Sequence, residues 1–194
     1  MARLSGALTP DCYVAIMVDS GKYSLGPKDG KLLVKVERDG MAKKMGHDLT
    51  LEVGDWSAEV TVDDDPDKSE LTLTAKPSSM KVVEAKGGAK PLSDGDKSDI
   101  KKNIDTKILS GGQDITFKSK SVSLNGGKAN VSGDLTIQGK TQPAQVQLNI
   151  TDTKVTGRTS LTQSKFGIKP FSAMMGALKV KDNVEIEFEA DLPK

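Results

Sequence analysis

The segment VSGDLTIQGKTQPAQVQLNI, residues 131–150, decides the fold. Val131, Gly133, Leu135 and Ile137 alternate with Ser132, Asp134, Thr136 and Gln138. After a turn through Gly139 to Pro143, Ala144, Val146, Leu148 and Ile150 alternate with Gln145, Gln147 and Asn149. A period of two, apolar against polar, is the pattern of a strand with one face buried and one face wet. It returns in Val184, Ile186, Phe188 and Ala190 against Asn183, Glu185, Glu187 and Glu189. Strands of this kind joined by short turns predict an antiparallel sheet.

Working outward, the same alternation marks Leu32 to Val36, Leu71 to Ala75 and Val155 to Leu161. Leu49, Leu51 and Val53 face Trp56, Ala58, Val60 and Val62 across Gly54-Asp55, which predicts a hairpin. Met80 to Val83 reads as a short edge strand, and Tyr13 to Val18 as a strand apolar on both faces. Ile115 and Phe117 open a further strand, and Val122 and Leu124 lead into an Asn125-Gly126 turn. Lys165 to Val180, with Met174-Met175-Gly176, reads as a loop.

One stretch differs in kind. Ile100, Ile104 and Ile108 recur every fourth residue among Lys, Asp, Asn and Thr, which predicts a helix over about 93–109 with a narrow apolar stripe. Ser93 or Asp96 caps its start, and Gly111-Gly112 stops it. Such a helix lies across the sheet or over one mouth of a barrel, its lysines in water.

The expectation is an all-β fold: an antiparallel barrel of about eight strands with one helix packed across it. Without an internal repeat or a linker, residues 1–194 form a single domain. Closure of the meander would remove both edges. Inward positions are often small, as at Ala58, Ala75, Gly133, Ala144, Gly157 and Ala190. In a barrel this size they leave room for a ligand or fit the taper, and the sequence does not choose.

Composition narrows the function. A net charge of +1 and 4% aromatic residues argue against phosphate-driven or base-stacking nucleic-acid binding. The lone cysteine, Cys12, allows no internal disulfide and no zinc cluster. The run Asp63 to Asp67 fails as a calcium loop, because Lys68 stands where glycine is needed and Thr74 where a bidentate glutamate is needed. No metal or cofactor is expected. Tyr13 to Val18 is too short for a signal-peptide core or a membrane span, so the expected location is the cytoplasm. His47 is the only histidine, and no second motif joins it in a nucleophilic system, so no enzyme is expected.

Residues 131–150, then SLTQSKFGIKPF (160–171) and the terminal NVEIEFEADLP (183–193), resemble the C-terminal half of the YceI-like family. GHDLTLEV (46–53), followed by a strand bearing Trp56, resembles its first half, so the likeness runs from about Leu32 onward. The resemblance implies a lipocalin-like barrel that binds an isoprenoid or other long-chain, fatty amphiphile inside it. The apolar lining expected on this reading is Leu49, Leu51, Trp56, Val60, Leu71, Leu73, Leu135, Ile137, Val146, Leu148, Ile186 and Phe188. Phe166 is expected to plug the barrel end, with Met174 and Met175 as an adaptable lip. The resemblance implies that His47 lies toward the cavity, where it would meet a ligand head group. Arg158 and Lys169, with Lys140 and Lys165, offer a cationic rim for the same purpose. It also allows a homodimer, packed through Leu4 to Val18. The alternative is an interaction module whose barrel is filled.

Overall fold

The computed structural model of the protein describes residues 19–192. The strand read at Tyr13–Val18, the cysteine at 12 and the pairing surface at Leu4–Val18 lie outside them.

Fourteen strands, one α-helix and several short helical turns make up the described chain. In order they are β1 Gly21–Leu25, β2 Gly30–Val36, β3 Arg38–Asp39, β4 His47–Val53, β5 Trp56–Val62, β6 Glu70–Ala75 and β7 Met80–Gly87. Then come α1 Asp94–Asn103, with a π-turn over Ile104–Ile108, β8 Ile115–Asn125, β9 Lys128–Ile137, β10 Lys140–Ile150 and β11 Lys154–Thr162. β12 Ser172–Ala173, β13 Leu178–Val180 and β14 Asn183–Asp191 complete the chain. Eleven strands form one curled antiparallel sheet in the order β1-β5-β6-β8-β9-β10-β11-β14-β2-β4-β7, and β12-β13-β3 form a small second sheet. The main sheet counts eleven strands against the expected eight because β1–β2, β4–β5 and β6–β7 are each one strand interrupted by a short link, and β3, β12 and β13, two or three residues long, are too short to show alternation. β12 and β13 fall within the segment read as a loop.

The C-terminal half of the main sheet is a run of sequence neighbours. The β8–β9 and β9–β10 turns carry positive φ at Gly126 and Gly127, and at Gln138 and Gly139. Two consecutive residues with φ > 0 form the hairpin turn whose twist matches that of its strands. The first turn thus sits one residue later than Asn125-Gly126, and Asn125 pairs with Lys128. The register of β8 against β9 shifts between Ser119 and Ser121. This bulge reconciles Ile115 and Phe117, on odd positions, with Val122 and Leu124, on even ones, by adding a residue that flips the parity.

The expected hairpin of Leu49–Val53 with Trp56–Val62 does not form. β4 pairs with β2 and β7, whereas β5 pairs with β1 and β6. The Gly54-Asp55 link instead carries the chain from one end of the sheet order to the other. It is tied to the β6–β7 link by Gly54 N donating to Ser79 O (3.3 Å), Asp55 N to Ser79 Oγ (2.9 Å) and Lys76 N to Asp55 O (2.9 Å). β4 runs on into β5 and β6 into β7, with β4 paired to β7 and β5 to β6, so these two kinked segments close the barrel wall between β2 and β8; the regular ladder is interrupted only at the kink, a seam in the wall. Apolar packing fills this seam: Leu51, Val53, Trp56, Ala75 and Met80 are all buried in the main core cluster. The Trp56 ring meets Phe188 edge-on, centroids 5.5 Å apart and planes at 81°.

α1 starts in a capping box, the Ser93 hydroxyl accepting from Asp96 N and the Asp96 carboxylate accepting from Ser93 N. The Asp96 carboxyl is accordingly held below its usual range, chiefly by the Ser93 side chain. The helix packs on β7, and Gln138 Nε2 donates to Ile108 O at its far end (3.0 Å).

Candidate functional site

The curled sheet encloses a cavity of about 1110 Å³. That exceeds the ~300–1,000 Å³ of ordinary small-molecule pockets. Its wall is the inward face of the alternating strands, so the period of two that builds the sheet also makes the lining apolar. Leu49, Leu51, Val60, Leu71, Leu73, Leu135, Ile137, Val146, Leu148, Ile186 and Phe188 all line it. Most of these, including Val60, Leu73, Val146 and Ile186, are only half-buried. Inward aliphatics of a filled core lose nearly all their exposure; these keep some because they face empty space.

Trp56 and Phe166 do not line the cavity. Trp56 is 3% exposed and belongs to the seam, and its Nε1–H has no hydrogen-bond partner among the described residues. Phe166 is buried in a second cluster with Ile137 and Ile168, over which Ile108, Leu109 and Leu161 pack. Gly167 (φ +75) turns the chain there, and Ile168 reaches the cavity in place of Phe166.

The helix supplies wall that sequence reading left out. Ile100, Ile104 and Ile108 all face the cavity. Their four-residue spacing identified a helix and an apolar stripe; what the stripe covered depended on where the seam fell. Phe117 was missed as lining because the bulge in β8 hides its parity with Val122.

Of the small inward residues, Gly133 and Gly157 leave no hollow of their own. A Cβ on Gly133 would meet the Lys118 carbonyl and sit 2.7 Å from the Phe117 ring; one on Gly157 would sit 2.7 Å from Leu148 Cδ2. Each glycine admits a large neighbour.

The two ends of the cavity differ. Val62, Asp63, Asp64, Pro66 and Glu70 line one end. Arg38, Met45, His47, Lys90, Asp96, Leu178 and Lys179 line the other, at the opposite ends of the strands. There the His47 ring lies against Gly88, where no Cβ would fit, and its Nε2 donates to Lys90 O (2.8 Å). Arg38 donates to Gly46 O (2.6 Å) and lies 3.6 Å from Asp48, whose carboxylate also accepts from Arg38 N.

The proposed cationic rim is dispersed. Arg158 is among the residues around the cavity but is 70% exposed and pairs with Glu185 and Glu187, both at 3.1 Å. Lys169, Lys140 and Lys165 are exposed and line no part of the cavity. Met174 and Met175 also stand outside the wall, 54% and 105% exposed. Among the described residues no three His, Cys, Asp or Glu side chains are grouped to hold a metal, and no helix is long and apolar enough to cross a membrane.

The YceI-like domain family profile matches residues 23–192. No curated protein matches the sequence. Among solved structures, BcnA of Burkholderia cenocepacia is similar at 19% identity and a TM-score of 0.62, over 84% of this chain and 96% of that one. The YceI protein of Campylobacter jejuni is similar at 17% identity and a TM-score of 0.51, over 74% of this chain and 85% of that one. A mutant of the Campylobacter protein, solved with a monobromobimane guest, matches to the same degree. At these identities the likeness is one of fold, a lipocalin-like antiparallel barrel with one helix.

Proposed function

Since this chain belongs to the YceI-like family, we propose that it binds a long-chain amphiphile, isoprenoid or fatty, in its central cavity without catalysing a reaction, and so stores or carries it. One observation supports this above others: the inward aliphatics surround about 1110 Å³ of empty space. The filled-barrel alternative would leave no space of this size between them.

The wall sets the kind of selectivity. Each buried CH₂ contributes about 0.8 kcal/mol, so a long tail gains far more, gross, than the ~18–21 kcal/mol at which affinities saturate. Affinity is therefore limited by ordering the chain and by incomplete burial. The cavity selects by length and width, and the head group sets orientation only. Of the two ends, the one with Arg38, His47, Lys90 and Lys179 suits an anionic head.

Native mass spectrometry of gently purified protein tests this. The expected result is a one-to-one adduct whose organic extract contains a long-chain lipid, or uptake of a prenyl alcohol on titration. Val60→Trp, which places an indole in the cavity, should cut uptake at least tenfold with an unchanged circular dichroism spectrum. A bare polypeptide mass and no uptake of prenyl or acyl probes would overturn the reading.

A further inference from the structure

At the His47 end of the cavity, two loops carry a combination found nowhere else on the described surface. Six large apolar side chains are markedly exposed among the described residues: Met41, Met45, Val83, Leu124, Met174 and Met175. Four of them are methionines on the segments 40–46 and 172–178. Met41 is 94% exposed and Met175 105%. These segments lie side by side, since Ala42 N donates to Ala177 O (2.8 Å), β13 pairs with β3, and a Cβ on Gly46 would sit 2.6 Å from Leu178 Cδ1.

Met174 (φ 51) and Met175 (φ 55) both adopt the left-handed conformation that side chains other than glycine rarely take. Such strain persists where surrounding structure imposes it and gathers at working sites. Here it holds two flexible, oily side chains in water at a cavity mouth, although neither packs on the core.

The two loops themselves are basic, with Glu37, Asp39, Asp48, Asp96 and Asp182 beside them. Residues 40–47 contain Lys43, Lys44 and His47, and residues 165–181 contain Lys165, Lys169, Lys179 and Lys181; neither segment contains an acid. Lys181 is paired with Glu37, whereas Lys43, Lys44, Lys165, Lys169 and Lys179 form no ion pair among the described residues. The far end of the cavity carries Asp63, Asp64 and Glu70.

We propose that the methionine lip and its lysine rim dock on an anionic lipid surface, with the His47 mouth of the cavity facing the bilayer. Methionines enter the headgroup boundary as an adaptable apolar edge. Each lysine brought near the anionic surface strengthens association by about fivefold at physiological salt. The acidic end is repelled, which fixes orientation. On the reading of the cavity as a lipid site, the ligand crosses between bilayer and barrel without passing through water.

Flotation with vesicles tests this without any cavity ligand. The full chain should bind phosphatidylglycerol-containing vesicles, bind pure phosphatidylcholine vesicles at least tenfold more weakly, and lose most of its binding in 0.5 M salt as screening tightens. The double variant Met41→Ser, Met175→Ser touches only exposed side chains and should reduce binding at least tenfold. Lys43→Glu, Lys44→Glu should do the same. Both should take up a prenyl probe from dilute solution as well as the parent chain. Absence of vesicle binding, or binding unchanged in both variants, overturns the proposal. So does concentration-dependent self-association that Met41→Ser, Met175→Ser abolishes without any vesicle binding, because a second copy would then cover the lip. If vesicles bind but no probe enters the cavity, the carrier reading fails and the docking surface stands.

Discussion

The two halves of the barrel wall are built on different principles. From β8 to β11 each strand pairs with its neighbour in sequence, and the turns between them are short. Between β4 and β7 the pairing is nested: β5 pairs with β6 and β4 with β7, while β4 and β5 share no ladder and neither do β6 and β7. The first half is held by continuous backbone pairing over a half-empty interior. The second is kinked at the seam, where a packed apolar core covers the break in the ladder. Where the regular ladder breaks, a few irregular hydrogen bonds and packed side chains do the joining, and the buried residues Leu51, Val53, Trp56, Ala75 and Met80 concentrate there.

The largest effect should therefore come from the seam. Trp56→Ala is expected to cost about 3–5 kcal/mol, the usual range for losing a buried aromatic, read by urea denaturation. Trp56→Phe retains a ring beside Phe188 and removes an N–H that has no partner among the described residues. Its cost should stay below about 1.5 kcal/mol. Equal losses for the two would mean that the indole N–H, not the packing, matters at the seam.

The paired half should break at a different kind of place. Gly133→Val drives a side chain into the Lys118 carbonyl and the Phe117 ring and should cost about 1–3 kcal/mol. Gly54→Ala, in the link across the seam, has its nearest neighbour at 3.3 Å and should cost less than about 0.5 kcal/mol. A reversal of that order would mean that the link, not the bulged ladder, is the tighter joint.

These contrasts also show what the sequence could and could not convey. Alternation reports which face a residue takes, so Leu135, Val146 and Ile186 were legible as inward from their spacing alone. It does not report which strand lies alongside. Gly54-Asp55 has the composition of a hairpin turn, yet what decides its course is the offset between the two ends of the sheet, a property of the whole wall. Trp56 follows the inward parity but falls at the seam, where inward means core rather than cavity. Met174 and Met175 were legible as oily and loop-borne; their exposure depends on backbone angles that no periodicity encodes.

Smaller effects sharpen the comparison further. Ser93→Ala removes the cap of the helix that roofs part of the cavity and should cost about 1 kcal/mol, seen as a fall in Tm. A modest effect should also come from the outer face of the ladder. The Glu187 carboxyl is held below its ordinary 4.5, first by its hydrogen bond with Lys35 and further by Arg158, against an opposing effect of burial. A lowered folded pKa contributes stability that is fully present above 4.5 and lost as pH falls through the folded value. Glu187→Gln should cost less than about 1 kcal/mol at pH 7 and should flatten the loss of stability just below pH 4.5.

The glycine at 133 has one more consequence. Its missing side chain is a recess already occupied by the Phe117 ring, so the calibre of the tunnel at that level is set by the phenylalanine. Shortening Phe117 would deepen the tunnel down to bare backbone without moving a strand. The gauge of the admitted guest can thus change by one substitution, while the scaffold around it keeps its shape.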